Sequence, residues 1–266
     1  MMLIAAVAGF AVSFHTGSDI LAFGAGALAG ALAAAVFGWL VIWLNTNQYA
    51  TGLALSLFGT GFSAFVGIAY VGKKLADRAP YDVPLLADIP LLGTALFKQH
   101  PTVYLTMLAA GALAWFFFRT RTGLVLRSVG ESPESARAVG YRVRWLRLGA
   151  VMAGGALCGM AGAYLSVVYA PLWVEGMVAG RGWIALALTV FATWRPARVL
   201  LGGYLFGGVT MLQLHLQGLG VQIPSQFMSM LPYVATIVVL VLISRNPAWI
   251  RLNMPASLGK PFYPGH

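Results

Sequence analysis

The residues with the most chemical character form one short polar run, Glu131-Ser132-Pro133-Glu134-Ser135-Ala136-Arg137-Ala138-Val139-Gly140. Ser132 is a good helix N-cap and Pro133 suits the first helical position. Glu134 falls near the positive end of the helix dipole, and Gly140 can adopt the left-handed conformation that closes a helix. About seven helical residues at 1.5 Å each make a rod of roughly 10 Å. Such a stub spans nothing and builds no core, so the chemistry it suits is docking. Two further polar runs interrupt apolar sequence. One is Asn45-Thr46-Asn47-Gln48-Tyr49-Ala50-Thr51-Gly52, where Asn47 and Gln48 are candidates for hydrogen bonds to a polar solute. Its plainer reading is a capped helix–helix turn. The other, Pro171 to Trp183, holds Trp173, Glu175, Arg181 and Trp183 with three glycines. Glu175 and Arg181 are spaced to pair across a turn, which lowers the cost of removing them from water. The indoles suit either a pathway mouth or the aromatic belt at a membrane surface.

Catalytic constellations are missing. There is no GxxxxGK[ST] phosphate cradle, no paired carboxylates inside an apolar stretch, and no Ser/His/Asp or Cys/His arrangement. His15, His100, His215 and His266 lack ligand spacing, and Cys158 is the only cysteine, so neither a metal site nor a disulfide framework is expected. Only Asp19 and Glu175 come near the apolar stretches, both at their edges, whereas proton-driven transporters place acids inside the membrane. The chain is expected to bind no cofactor.

The elements that must position these residues are membrane helices. The chain is 59% hydrophobic and 9% charged, with mean hydropathy +0.81, against about 25% charge in a soluble domain. Apolar stretches run over about 1–14, 19–44, 49–71, 102–118, 148–169, 183–193, 198–216 and 227–243. A span needs about 20 residues, so the sixth is expected to be a half-helix or to begin nearer Val174. The expectation is an all-α polytopic bundle of about eight membrane segments, one single transmembrane domain over 1–266. Gly26/Gly30, Gly155/Gly159 and Gly203/Gly207, each four apart, predict close backbone packing, with a moving interface between two subunits as the sharper reading.

The net charge of +10 is distributed for topology and not for nucleic acid. Arg119, Arg121, Arg127, Arg137, Arg142, Arg144 and Arg147 mark the loop of about 119–147 as cytoplasmic. Arg195 and Arg198 mark another loop, and Arg245 and Arg251 the C-terminal tail. The loop of about 72–101 is nearly balanced in charge and is placed outside, where its apolar, proline-rich sequence suits a short surface helix. Both termini then fall inside. Phe191-Ala192-Thr193-Trp194-Arg195-Pro196 reads as a helix end, with Arg195 at the negative end of the dipole.

Taken in order, several segments resemble the permease subunits of ABC importers for nucleosides and simple sugars, within the wider ribose and branched-chain amino acid permease group. Gly130 to Gly140 is similar to that family's GENPEAARAAG coupling segment. Asn47-Gln48 with Gly52 to Leu55, Ala161 to Leu165, Ala179 to Ala187, Trp194-Arg195-Pro196 and Leu201 to Gly207 continue the likeness over nearly the whole chain. The resemblance implies a permease in the bacterial cytoplasmic membrane that lines the solute path. It implies three partners beside membrane lipid: a cytoplasmic ATPase that uses the ATP, a second permease subunit, and an extracytoplasmic solute-binding protein. Carried over, Glu131, Ser132, Pro133, Glu134, Arg137 and Gly140 fall on the ATPase-docking element. Two departures follow. The family places another helix and a GVLNLGVEG-like segment before Met1-Met2-Leu3, so the start is expected to be truncated relative to it. Ala192-Thr193 stands where Gly-Arg or Gly-Asn is more familiar. The competing reading is a secondary transporter or channel for a small polar solute; a membrane enzyme lacks any constellation to support it.

Overall fold

A computed structural model describes residues 1–75, 81–82, 98–178, 180–219 and 254–263, with scattered positions between 227 and 241. The described residues are overwhelmingly helical: α1 (Met2–Thr16), α2 (Asp19–Ile42), α3 (Gln48–Gly67), α4 (Pro101–Arg119), α5 (Arg121–Glu131), α6 (Pro133–Ala138), α7 (Val143–Tyr164), α8 (Arg181–Phe191) and α9 (Pro196–Gly218). A 3-10 turn, Ile68–Tyr70, extends α3, and a π-turn, Leu165–Tyr169, extends α7. Two-residue strands Tyr81–Asp82 and Lys98–Gln99 pair antiparallel.

Among the described residues, five helices are long and apolar enough to cross a membrane: Asp19–Ile42, Gln48–Tyr70, Pro101–Arg119, Val143–Tyr169 and Pro196–Gly218. The count of eight segments is therefore reached only in part. α1 has 15 residues and α8 has 11, or about 22 and 16 Å against a hydrocarbon core of about 30 Å. Segment 183–193 does not start nearer Val174, because residues 175–178 form turns and the helix begins at Arg181, after Gly180 at φ 79°. About half of 227–243 lies outside the described residues, as does most of the loop in which a surface helix was expected.

The chain divides into two compact units, Met1–Tyr104 with Val125–Ala179 and Ala256–His266, and Leu105–Leu124 with Gly180–Pro255. The first is built on an antiparallel seam between α2 and α7. Gly26 faces Gly159 and Ala163, Gly30 faces Gly155 and Gly159, and Gly38 meets Leu148. At Gly30, Gly155 and Gly159 an added Cβ would fall on the opposite helix's backbone. The small residues are inside and the large ones outside: Gly26, Gly30, Ala34 and Gly38 are buried, while Leu28 is 62%, Leu32 57% and Val36 56% exposed. In water that arrangement would forfeit the hydrophobic driving force. In lipid it is favourable, because helices there associate by close backbone packing and tails solvate the leucines. Of the two readings of these glycines, the seam within one chain describes Gly26/Gly30 and Gly155/Gly159.

α1 lies against the same seam. Gly9 meets Ala163, Gly162 meets Met2, and the buried Ser166 hydroxyl donates to the Ala6 carbonyl at 2.8 Å. Met1 sits beside Gly59, midway along α3. α3 repeats the inverted pattern, burying Gly59, Ser63 and Gly67 and exposing Leu53, Leu57 and Phe65. Gly67 is needed because the Trp173 indole lies on it. A Gly67→Ala variant is expected to lose about 1–3 kcal/mol by overpacking. A lowered melting temperature with changed tryptophan emission would register it.

In the second unit α8 and α9 form a helical hairpin closed by Gly202, which faces Leu188 and Phe191. Around Gly203 and Gly207 an added Cβ would meet nothing within 4 Å. The expected pair on α9 is thus one position off the packed face. Phe191 does end α8, but Pro196 opens α9 at its first helical position, and Arg195 stands at that helix's N-cap. The four-residue turn between them carries two left-handed non-glycine residues, Thr193 at φ 48° and Trp194 at φ 59°. The Arg198 guanidinium donates to the buried Thr193 hydroxyl and ties the turn to α9.

Candidate functional site: the arginine-rich turn and its short helix

α6 is six residues long, about 9 Å. Every signal in its sequence acts locally. Ser132 is extended (φ −140°), its side chain accepts from the Ser135 amide at 3.3 Å, and the two hydroxyls lie 2.8 Å apart. Pro133 begins the helix and Glu134 is in the first turn. At the other end the Tyr141 amide donates to the Ala136 carbonyl at 3.1 Å and the Gly140 amide to the Arg137 carbonyl at 2.8 Å. This pair of bonds is the Schellman closure, and it requires the positive φ of 97° that Gly140 supplies.

Ala136 is the buried residue of α6, and it packs into an apolar plug with Val129, Val143 and Phe262, flanked by Leu146. The opposite surface, Glu131, Glu134, Arg137, Ala138, Val139, Gly140, Tyr141 and Arg142, is exposed, Val139 to 77%. Two carboxylates, two guanidiniums and an uncovered aliphatic face therefore stand together on a closed stub.

The surroundings differ from expectation in one respect. α5 occupies Arg121–Glu131, so the turn holds two helices, and α7 begins at Val143, five residues ahead of the apolar stretch at 148. Thr120 makes the α4–α5 junction, its hydroxyl donating to the Phe116 carbonyl at 2.7 Å and accepting from the Gly123 amide at 3.0 Å. Leu124, Val125, Leu126 and Val129 carried the signal, diluted by Arg121, Arg127 and Gly130.

The expected pathway residues fall into two places. Asn47 is the N-cap of α3, its side-chain oxygen accepting from the Tyr49 and Ala50 amides at 3.0 and 3.1 Å, and Gln48 is the first residue of that helix. The structure gives Asn47 a capping role. Near this end Trp43 lies edge-on to Trp145 at 5.2 Å and stacks on Trp39 at 5.1 Å, tying α2 to the start of α7. Trp173 is beyond the opposite end of α3, 2% exposed in a core of Ala6, Val7, Phe10, Leu165 and Val178. Backbone bridges Val71↔Trp173 and Lys74↔Leu172 hold it there. Asn47 and Gln48 are therefore not brought together with Trp173. Glu175 lies in the turn after Trp173 and Arg181 is the first residue of α8; they belong to different units. Beside the Trp173 core, Lys73 Nζ lies 4.7 Å from the Phe14 ring and 5.5 Å from the Tyr70 ring, and the His15 ring Nε2 is 3.3 Å from the Tyr70 hydroxyl.

The sequence reading missed the C-terminal segment. Phe262 fills the plug under Ala136, and Ser257 bonds to the end of α5. The only hint was an aromatic between prolines in a polar tail.

Glycine-seamed apolar helices carrying a small, polar, double-capped stub describe a multi-pass membrane protein. The family described as branched-chain amino acid transport system, permease component, matches residues 1–243, and the chain belongs to it. A Haloferax volcanii protein provisionally named glucose ABC transporter permease protein TsgC13 is 39% identical, the match covering 97% of this chain and 85% of that one. Nucleoside ABC transporter permease protein NupC of Lactococcus lactis is 33% identical over 82% of this chain and 71% of its own. Guanosine ABC transporter permease protein NupQ of Bacillus subtilis is 33% identical over 89% and 75%. No solved structure matches the chain. The family read from the ordered motifs is the family found.

Proposed function

We propose that this chain lines the translocation path of an ABC importer for a nucleoside or simple sugar. In this reading α6 seats in a cytoplasmic ATPase that hydrolyses the ATP, a second permease subunit completes the path, and an extracytoplasmic binding protein delivers the solute. The membership of residues 1–243 in the permease family carries the reading, and the relatives named for glucose, nucleoside and guanosine transport favour the solute class. The exposed, closed stub at the arginine-rich turn supports the docking role, since basic residues gather on the cytoplasmic side of membrane proteins. Glu131, Ser132, Pro133, Glu134, Arg137 and Gly140 form the docking element. Asn47, Gln48, Trp173, Glu175 and Arg181 are the residues assigned to the path.

ATP binding would then shift a two-state equilibrium of the permease through contacts that α6 makes differently in the two states. Proteoliposomes holding the assembled complex should take up labelled guanosine or glucose only with ATP inside. Equal uptake by liposomes holding this chain alone, without ATP, would replace the importer with a channel or secondary transporter.

A further inference from the structure

We propose that the segment 256–263 is a strap that sets the attitude of α6, with Ser257, Phe262 and Arg147 as positioning residues for ATPase docking. The inference rests on the reading of α6 as the docking element. A six-residue helix cannot hold itself in place, because nucleation costs more than one turn of hydrogen bonds returns. Its orientation is set by what it rests on, and that is the plug of Val129 from α5, Val143 from α7 and Phe262 from the tail, closed over Ala136.

Four contacts bring the tail there. The last carbonyls of α5 have no partners within their own helix. One of them, Gly130, accepts from the Ser257 amide at 3.0 Å and from the Ser257 hydroxyl. Arg147, one turn into α7, donates from Nη2 to the same hydroxyl at 3.2 Å. Its guanidinium carbon lies 5.6 Å from the centre of the Phe262 ring, within range of a cation–π attraction. The tail therefore caps α5, is held by α7, and inserts its ring beneath α6. Gly259 at φ 74° lets the segment turn back between those anchor points. A stub resting on an unplugged base would sample several attitudes, and a partner must then select one of them, which weakens binding by the fraction populated.

The test uses the full chain in nanodiscs, with Cys158→Ala and a nitroxide attached at Val139→Cys on the exposed face of α6. Phe262→Ala and Ser257→Ala should quicken label motion and weaken binding of the copurifying ATPase subunit about tenfold, within the usual range of coupling energies. Phe262→Leu, which refills the plug, and Ser257→Thr, which keeps the hydroxyl, should restore both readouts. Unchanged melting of the α2–α7 bundle would separate the effect from loss of fold. An unaltered label spectrum in Phe262→Ala and Ser257→Ala overturns the strap. If the label quickens but ATPase binding is unchanged in these variants and in Glu134→Lys as well, the docking role of α6 itself is wrong, and the positioning role falls with it.

Discussion

Gly159→Val is expected to lower the stability of the folded protein sharply. Its Cβ would fall on the Gly26 carbonyl oxygen and lie 3.1 Å from the Gly30 Cα, so backbone is the obstacle on every side. A flexible side chain can swing aside; a helix backbone cannot, and α2 must part from α7 along the seam. Overpacking of this kind costs about 3 kcal/mol, a large share of the ~5–15 kcal/mol by which proteins are stable. The loss should appear as a lowered melting temperature in detergent and less protein in the membrane. Gly154→Ala supplies the control, since nothing lies within 4 Å of the added Cβ. There the gain in helix propensity, up to about 1 kcal/mol, should leave stability equal or raised. Equal stability of the two variants would contradict the seam.

Gly140→Val is expected to separate ATP hydrolysis from uptake while leaving the protein in the membrane. The site has open space, so the obstacle is conformational: φ of 97° is a region that β-branched residues rarely adopt. The bonds from Tyr141 to Ala136 and from Gly140 to Arg137 would be lost, and the last turn of α6 would open. Because α6 has only six residues, losing one end deforms the whole element. Uptake by the reconstituted complex should fall more than about tenfold, the scale of a few kcal/mol of lost coupling, with the amount of inserted permease unchanged. Uptake within twofold of wild type would argue against α6 as the transmitting element.

Legibility tracked the range of the forces involved. The α6 stub was readable because each of its signals, Ser132 at the cap, Pro133 at the first position and Gly140 at the close, acts within a few residues. The glycine pairs on α2 and α7 were readable because four-residue spacing places them on one face, and their mutual packing followed. On α9 the same spacing misled: Gly202, not Gly203, carries the contact, and only the neighbouring α8 decides which face is covered. The start of α8 was hidden because Val174 to Val178 is apolar enough to continue a helix, yet Gly176 and Gly180 take positive φ. α5 was obscured by arginines that dominate the composition of its turn. Trp173 illustrates a different difficulty. An indole beside a carboxylate suits a pathway or an interface by type, and its burial on Gly67 depends on a helix more than a hundred residues earlier. The tail was the least legible part, because Ser257 and Phe262 acquire meaning only from Gly130, Ala136 and Arg147.

The central claim is that α6 meets an ATPase on the cytoplasmic side, and one measurement addresses it directly. A single cysteine at Val139, in a Cys158→Ala chain, should be blocked by a membrane-impermeant maleimide only from inside, and should cross-link to the ATPase subunit in the assembled complex. Modification from outside in intact cells, or an assembled complex in which this position never cross-links, would contradict the account.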